Sequence, residues 1–230
     1  MDDRMLRYTE TVRGKIHASG MFGRANGSLH RALERGRRRG EFPEVLEVGS
    51  GDLEHLEFVT HGCRRYHAVD LRLPKDAAGP IARRPPNITA VKVHQMDGTA
   101  LNFPDASFDR VLATCVIMHV DRPDLVVTEW LRVTKPGGVV DFLVPCDPGI
   151  VLRLFRWFVN ERAALRFGVS RQEYRVLNAL DHVSSFARID ELVRLVVRES
   201  PGLILRTTYF PFRVPVWNLN GFAVYSVQKA

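Results

Sequence analysis

Chemistry concentrates first in Glu47-Val48-Gly49-Ser50-Gly51, followed by Asp52 and Glu54 and, about twenty residues on, by Asp70. Two glycines at this spacing permit a tight turn and let a ligand approach the backbone closely. An acidic residue at the end of the next strand can accept hydrogen bonds from both hydroxyls of a ribose. A helix starting just after the turn would add unpaired amide donors. Alone, the glycines also fit an ordinary strand exit, and Asp70 an ordinary surface carboxylate; the combination points to a nucleoside-containing cofactor. The dinucleotide pattern G-x-G-x-x-G fails, because its last position is Glu54. Glu47, Asp52 and Glu54 also match a pyrophosphate poorly. A cofactor with a cationic centre and no phosphate suits them better.

A second set of residues could serve an acceptor. Tyr174, Asn178, Asp181 and His182 in RQEYRVLNALDHVSSF fall at offsets that let several share one helical face. His182 is the first choice for a general base, with a structural histidine as the plainer alternative. His17 or Phe22 could close over a cofactor. Arg213, Trp217, Asn218 and Asn220 sit on an expected loop. Tyr174 and Trp217 also read as packing residues, and the two asparagines as the holders of a hairpin connection. No metal-ligand cluster is evident. Cys63, Cys115 and Cys146 are far apart and odd in number, which predicts free thiols in a reducing compartment.

The elements that must position these groups read as an α/β succession. EVLEVGSG is a strand entering a glycine turn, DLEHLEFVTHG a helix with Leu53, Leu56 and Val59 on one face, and RYHAVDL a second strand. Prolines 74, 80, 85 and 86 make residues 74–87 a loop with room for one helical turn. ITAVKVHQMD and SFDRVLATCVI are the third and fourth strands. RPDLVVTEWLRVTKPGG is a helix stopped by Pro136, and VVDFLVP a fifth strand. LILRTTYF and GFAVYSVQK form a terminal hairpin. The fold class is therefore α/β, a mostly parallel sheet. Residues 1–42 read as an N-terminal helical extension, in which GSLHRALERG is a short helix with Ser28 as cap and Gly36 as stop. Residues 43–230 form the main domain, with 148–199 a largely helical insertion over the acceptor site.

The 230 residues carry a formal charge of +7, part of it in Arg35, Arg37, Arg38 and Arg39. A solvated turn explains that run better than nucleic acid does, since no zinc finger or aromatic RNA-binding sheet accompanies it. No signal peptide and no apolar run of transmembrane length are visible, so the cytoplasm is the expected location. In residues 149–168, Val151, Leu154, Phe155 and Phe158 make an apolar stripe among Arg153, Arg156 and Arg162. Packing on the sheet domain is the favoured reading, ahead of a dimer seam or an anionic lipid surface.

VLEVGSG, HAVDL, HQMDGTALNFPDASFDRVLATCVIMHV and LRVTKPGGVV, in that order, resemble successive motifs of the class I, Rossmann-like S-adenosylmethionine-dependent methyltransferases, type 11-like, over about residues 43–145. The resemblance implies a seven-stranded sheet ending in an antiparallel hairpin, with helical lid segments, and S-adenosylmethionine as cofactor. It implies that Glu47, Gly49, Ser50 and Gly51 line the methionine half, and that Asp70 and Leu71 stand at the ribose. Met96, Asp97 and Gly98 would surround the adenine, and Cys115 the cofactor's floor. His119, close by, rivals His182 as base. Gly98 departs from the family's usual alanine, and Leu53 from a frequent third glycine. Phe108 is expected in the core and Asp109 in a structural role. Leu143–Gly149, ALDHVSSF and WNLNG are also similar to uncharacterised methyltransferase-like proteins encoded among bacterial surface-sugar or secondary-metabolite genes. The implied function is methyl transfer to a small-molecule acceptor, a sugar or secondary-metabolite hydroxyl or amine. Protein or RNA methylation, and cofactor binding without turnover, are the alternatives.

Overall fold

The computed structural model describes residues 20–38 and 40–230. His17, the side chain of Phe22, Arg39 and the first part of the expected extension lie outside the described residues. The first described helix, α1, spans Gly20–Leu33, followed by β1 (Glu44–Val48), β2 (Cys63–Asp70), a short α2 (Ala78–Ala82), β3 (Ile88–Gln95) and β4 (Phe108–Thr114). Next come α3 (Pro123–Val133) and β5 (Thr134–Pro145). The lid consists of α4 (Ile150–Phe155), a π turn (Arg156–Asn160), α5 (Glu161–Arg166) and α6 (Arg171–Asp181). α7 (Phe186–Glu199), β6 (Leu203–Phe210) and β7 (Phe222–Lys229) complete the chain.

The strands form one seven-stranded sheet in the order β3-β2-β1-β4-β5-β7-β6, a Rossmann-like arrangement. β1 to β5 run parallel, and β7 lies antiparallel to both β5 and β6. The central strands are covered on both faces and therefore carry nearly unbroken apolar runs. Val45 and Leu112 join α1 residues Leu29 and Leu33 on one face. Leu46, Val48, Val111 and Ala113 join Trp130 and Phe186 on the other. Phe108 is core, as expected, and Asp109 is structural, accepting from the Glu44 amide and from Lys135.

Three local expectations are corrected. No α-helix follows the glycine turn: Asp52–His55 is a chain of turns, and only a 3-10 turn forms at Leu56–Phe58. Leu53 takes φ +64°, which a helix cannot contain, yet Leu53, Leu56 and Val59 are all buried as their spacing suggested. Ser28 is not a cap, because α1 begins at least eight residues earlier and Ser28 lies inside it. Finally, α3 ends at Val133 and β5 starts at Thr134, ahead of Pro136. Proline excludes the helical conformation from the residue before it, so the helix gives way early. Among the described residues no helix is long and apolar enough to cross a membrane, and Cys63, Cys115 and Cys146 form no disulfide.

Candidate active site

The glycine turn, Asp70 and Asp97 stand at the carboxyl ends of β1, β2 and β3, three adjacent parallel strands. Gly49 and Ser50 donate their amides to the Val69 carbonyl, at 2.8 and 3.1 Å, which folds the turn over β2. Gly49 has φ +71°, and a Cβ there would lie 2.2 Å from Val116 Cγ2. Only glycine lets the loop after β4 close on the turn in this way. Asp70 is held by the turn it faces: Oδ2 accepts from the Gly51 amide at 2.9 Å and Oδ1 from the Arg72 amide at 3.1 Å. Each oxygen keeps a further lone pair.

Glu47 lies beneath the turn, 2% exposed, where it accepts from the Tyr66 hydroxyl at 2.8 Å. Burial pushes its carboxyl up to about 7. Ser50 is 4% exposed, and its buried hydroxyl, like that of Thr114 at the end of β4, has no hydrogen-bond partner among the described residues. A buried polar group without a partner is costly. Two such groups at the ends of β1 and β4 leave hydrogen-bonding capacity unspent on the ligand side of the sheet. Leu71 is exposed, and its carbonyl accepts from Gln95 Nε2. Met96 is half-buried against the core, its sulfur accepting from the Asn102 amide. Asp97 Oδ1 binds the amide and hydroxyl of Thr99, at 2.8 and 2.7 Å, and thereby fixes its own side chain. A Cβ on Gly98 would lie 2.3 Å from Val48 Cγ1, which explains glycine here in place of alanine. Cys115 is half-buried at φ +56°, at the turn leaving β4.

The two histidines expected to rival one another come together. His119 follows a 3-10 turn after β4, and His182 ends α6; their rings are 5.3 Å apart and T-shaped. His119 Nδ1 lies 2.7 Å from the Asp181 carbonyl oxygen, which can only accept. His182 Nδ1 lies 3.0 Å from Asp147 Oδ2. Burial works to raise the Asp147 carboxyl, but hydrogen bonds from His182 and Arg156 bring it down to about 2. An ionised Asp147 requires the proton of His182 on Nδ1, and so leaves the lone pair on Nε2. Arg156 Nη1 donates to Asp147 Oδ1 at 2.8 Å, and its Nη2 lies 3.2 Å from the same His182 Nδ1, a close approach and not a hydrogen bond when that nitrogen carries its proton. Donor atoms of His119, Asp181 and His182 also fall within 4.8 Å of one another. The Arg156 charge beside His182 weighs against a second cation at this place.

Asp147 was given no role from the sequence; its signals are its place in the Leu143–Gly149 stretch noted above and its position just past the end of a buried strand. Tyr174 lies against the lid's own small core, and its hydroxyl accepts from Asn160 Nδ2 at 3.0 Å. Trp217 is parted from Tyr174: it stacks on Phe186 at 5.5 Å and packs on the main core. Asn220 is buried and holds the hairpin connection, donating to the carbonyls of Val214 and Val216 and accepting from the Phe212 amide. Asn218 and Arg213 are exposed.

A family model described as a methyltransferase domain matches residues 46–142, the segment that carries the turn, Asp70 and Asp97. Over that segment the chain has the methyltransferase domain, with the fold and motifs of the class I S-adenosylmethionine-dependent family. An uncharacterized methyltransferase of Mycobacterium tuberculosis (strain H37Rv) is 39% identical over 95 residues, covering 40% of this chain and 36% of its own length. One from Mycobacterium leprae is 32% identical over 179 residues, 75% of this chain and 63% of its own. The chain thus spans 36% of the first curated relatives it matches. The solved structure of the N-methyltransferase NodS from Bradyrhizobium japonicum, in complex with S-adenosylhomocysteine, aligns with a TM-score of 0.60. It is 13% identical, with 99% of each chain covered, a likeness of fold. The cofactor of that family is S-adenosylmethionine, and this chain has residues that fit it. The unpartnered Ser50 hydroxyl and the carboxylates of Asp70 and Asp97 supply acceptors, and acids around the turn match a cation.

Proposed function

We propose that this methyltransferase transfers a methyl group from S-adenosylmethionine to a small molecule seated under the lid, with His182 as general base. The observation that carries the reading is the meeting of two half-sites. The turn of Gly49 packs on Val116, and the same short loop runs on to His119, whose ring contacts His182. Beyond His182 opens a groove of about 810 Å³ lined by Tyr174, Asn178 and lid residues. That size suits a compact organic acceptor.

When bound, S-adenosylmethionine supplies an electrophilic methyl on a sulfonium sulfur. Asp70 holds the ribose, and Asp97 the adenine through its unshared oxygen. The glycine turn lies along the methionine half. Asp147 keeps the His182 proton on Nδ1, so Nε2 would take the proton of an acceptor hydroxyl as the oxygen–carbon bond forms and the carbon–sulfur bond breaks; an acceptor amine would arrive neutral and give up its proton afterwards. Positioning and this proton transfer are the protein's contribution. Tyr174 shapes the lid, and His119 supports His182. The absence of a disulfide among the described cysteines fits a reducing compartment, and we propose the cytoplasm for the reaction.

Calorimetric titration with S-adenosylmethionine, S-adenosylhomocysteine and NAD tests the cofactor assignment. The sulfur compounds should bind and NAD should not. Folded protein that binds neither sulfur compound overturns the reading. Methyl transfer from labelled cofactor to hydroxylated and amino compounds then separates an enzyme from a protein that only binds the cofactor.

A further inference from the structure

The groove beside His182 has an uneven chemistry. One wall is apolar and open: Ile150, Leu154 and Trp157 line it at 53, 50 and 45% exposure. Of the stripe expected to pack on the sheet, Val151 and Phe155 are half-buried, while Leu154 and Phe158 are exposed, and Trp157 packs edge-on against Phe158 at 4.4 Å. The other wall carries Arg153, Arg156, Arg175, Asp147 and Glu161. Both carboxylates are already satisfied. Asp147 accepts from Arg156 on one oxygen and from His182 on the other. Glu161 accepts from Arg175 on both, at 2.7 and 3.2 Å. Arg156 and Arg175 are thus spent on their partners. Arg153 has no ion-pair or hydrogen-bond partner among the described residues and lies one turn from Ile150 and beside Leu154. The groove therefore has one unspent positive charge, no unspent negative charge, and an uncovered apolar wall next to that charge.

We propose that the groove binds an anionic amphiphile. Its aliphatic or aromatic body lies on Ile150, Leu154 and Trp157, and its carboxylate, sulfate or phosphate monoester sits on Arg153. A guanidinium recognises all three anions by the same paired donors. That this molecule is also the methyl acceptor rests on the function proposed above; that it binds does not. A plain neutral sugar would leave the apolar wall wet and Arg153 unanswered.

The test uses four eight-carbon probes, octyl phosphate, octanoate, 1-octanol and octylammonium, titrated calorimetrically into the whole protein. The two anions should bind about tenfold tighter than the alcohol, the gain expected from one charge-assisted contact, and octylammonium should bind weakest. Arg153→Gln should erase the gap between anions and alcohol, and Trp157→Ala should weaken all four probes. Equal binding of alcohol and anions, or an Arg153→Gln protein that still prefers anions, overturns the proposal. Sedimentation with vesicles of neutral and anionic phosphatidyl lipids is run beside it. Protein that pellets with vesicles but ignores the monomeric probes has a membrane-facing wall instead, and the proposal falls. Titration with S-adenosylhomocysteine accompanies each variant. Unchanged affinity in Arg153→Gln shows that its fold is intact. Octyl phosphate bound by a protein that ignores S-adenosylhomocysteine would keep the groove assignment and discard the methyltransferase reading.

Discussion

At the scale of single residues, three side chains have measurable duties. Asp70→Ala should lower affinity for S-adenosylhomocysteine by about 100-fold or more, since two charge-assisted hydrogen bonds to a ribose are lost. Asp70 also accepts from the Gly51 and Arg72 amides, so circular dichroism and melting temperature must show the fold retained. Affinity unchanged in a folded variant would remove Asp70 from the cofactor. Asp147→Asn should unsettle His182, because an amide can donate as well as accept. Nitrogen chemical shifts of the imidazole should then report a population protonated on Nε2, and the proposed base would be lost; an unaltered tautomer would deny Asp147 its positioning role. Glu47 gives a pH signature. Its folded carboxyl is pushed up to about 7 by burial, so between the unfolded value near 4.5 and 7 the folded state binds the extra proton. Stability from this group is full below 4.5 and is lost as pH rises through 7. Glu47→Gln should recover about 3 kcal/mol at pH 8 and none at pH 4, read as the difference in denaturant midpoints between variant and parent. The comparison must be differential, because burial of His30 holds its imidazole down to about 3 and tilts the acid side the other way.

At the scale of elements, the parallel sheet was legible because its strands are apolar on both faces, and the glycine turn and Asp70 because their spacing is rigid. The segment after the turn was not. Leu53, Leu56 and Val59 have helical spacing and are buried, but what bends the chain is tertiary. His55 is drawn into a buried contact with His30, 2.9 Å between Nδ1 atoms, and with Glu34 at 3.1 Å. No local pattern reveals partners more than twenty residues away. The same holds for the His119–His182 pair, which joins the loop after β4 to the end of α6; each histidine was visible, but their meeting was not. Asp147 lay in the Leu143–Gly149 stretch, noted for its resemblance but with no role for its carboxylate. Gly98 is legible after the fact. Gly98→Ala should cost about 1–3 kcal/mol through its clash with Val48, and Val48→Ala in the same chain should return part of that loss. Thermal melts of the single and double variants check both statements; an additive double variant would show that the two sites do not touch.

At the scale of the whole molecule, α1 is tied to the sheet by buried charge. Arg110, fully buried on β4, donates to Glu34 just past α1 at 2.5 Å and to Asp141 on β5 at 2.8 Å, and Arg37 also pairs with Asp141. Burial opposes the Glu34 charge, but Arg110 and His55 hold its carboxyl far below the usual range. Arg110→Met should destabilise by about 3–5 kcal/mol, because two buried carboxylates lose their partner; a chemical denaturation midpoint close to the parent's would show the network to be dispensable. The sheet has a further consequence, in the order of its making. β7 follows β6 in the chain yet pairs between β5 and β6. A nascent chain that has emerged only as far as the 211–221 connection can hold β1 to β5, but β6 then has no neighbour to join. The flank of β5 at Val139–Pro145, buried throughout in the finished protein, would stand bare, an apolar strand edge of the kind that recruits other chains. Ribosome-arrested chains ending before Phe222 should therefore be the aggregation-prone ones, and release of eight more residues, Phe222–Lys229, should cure them.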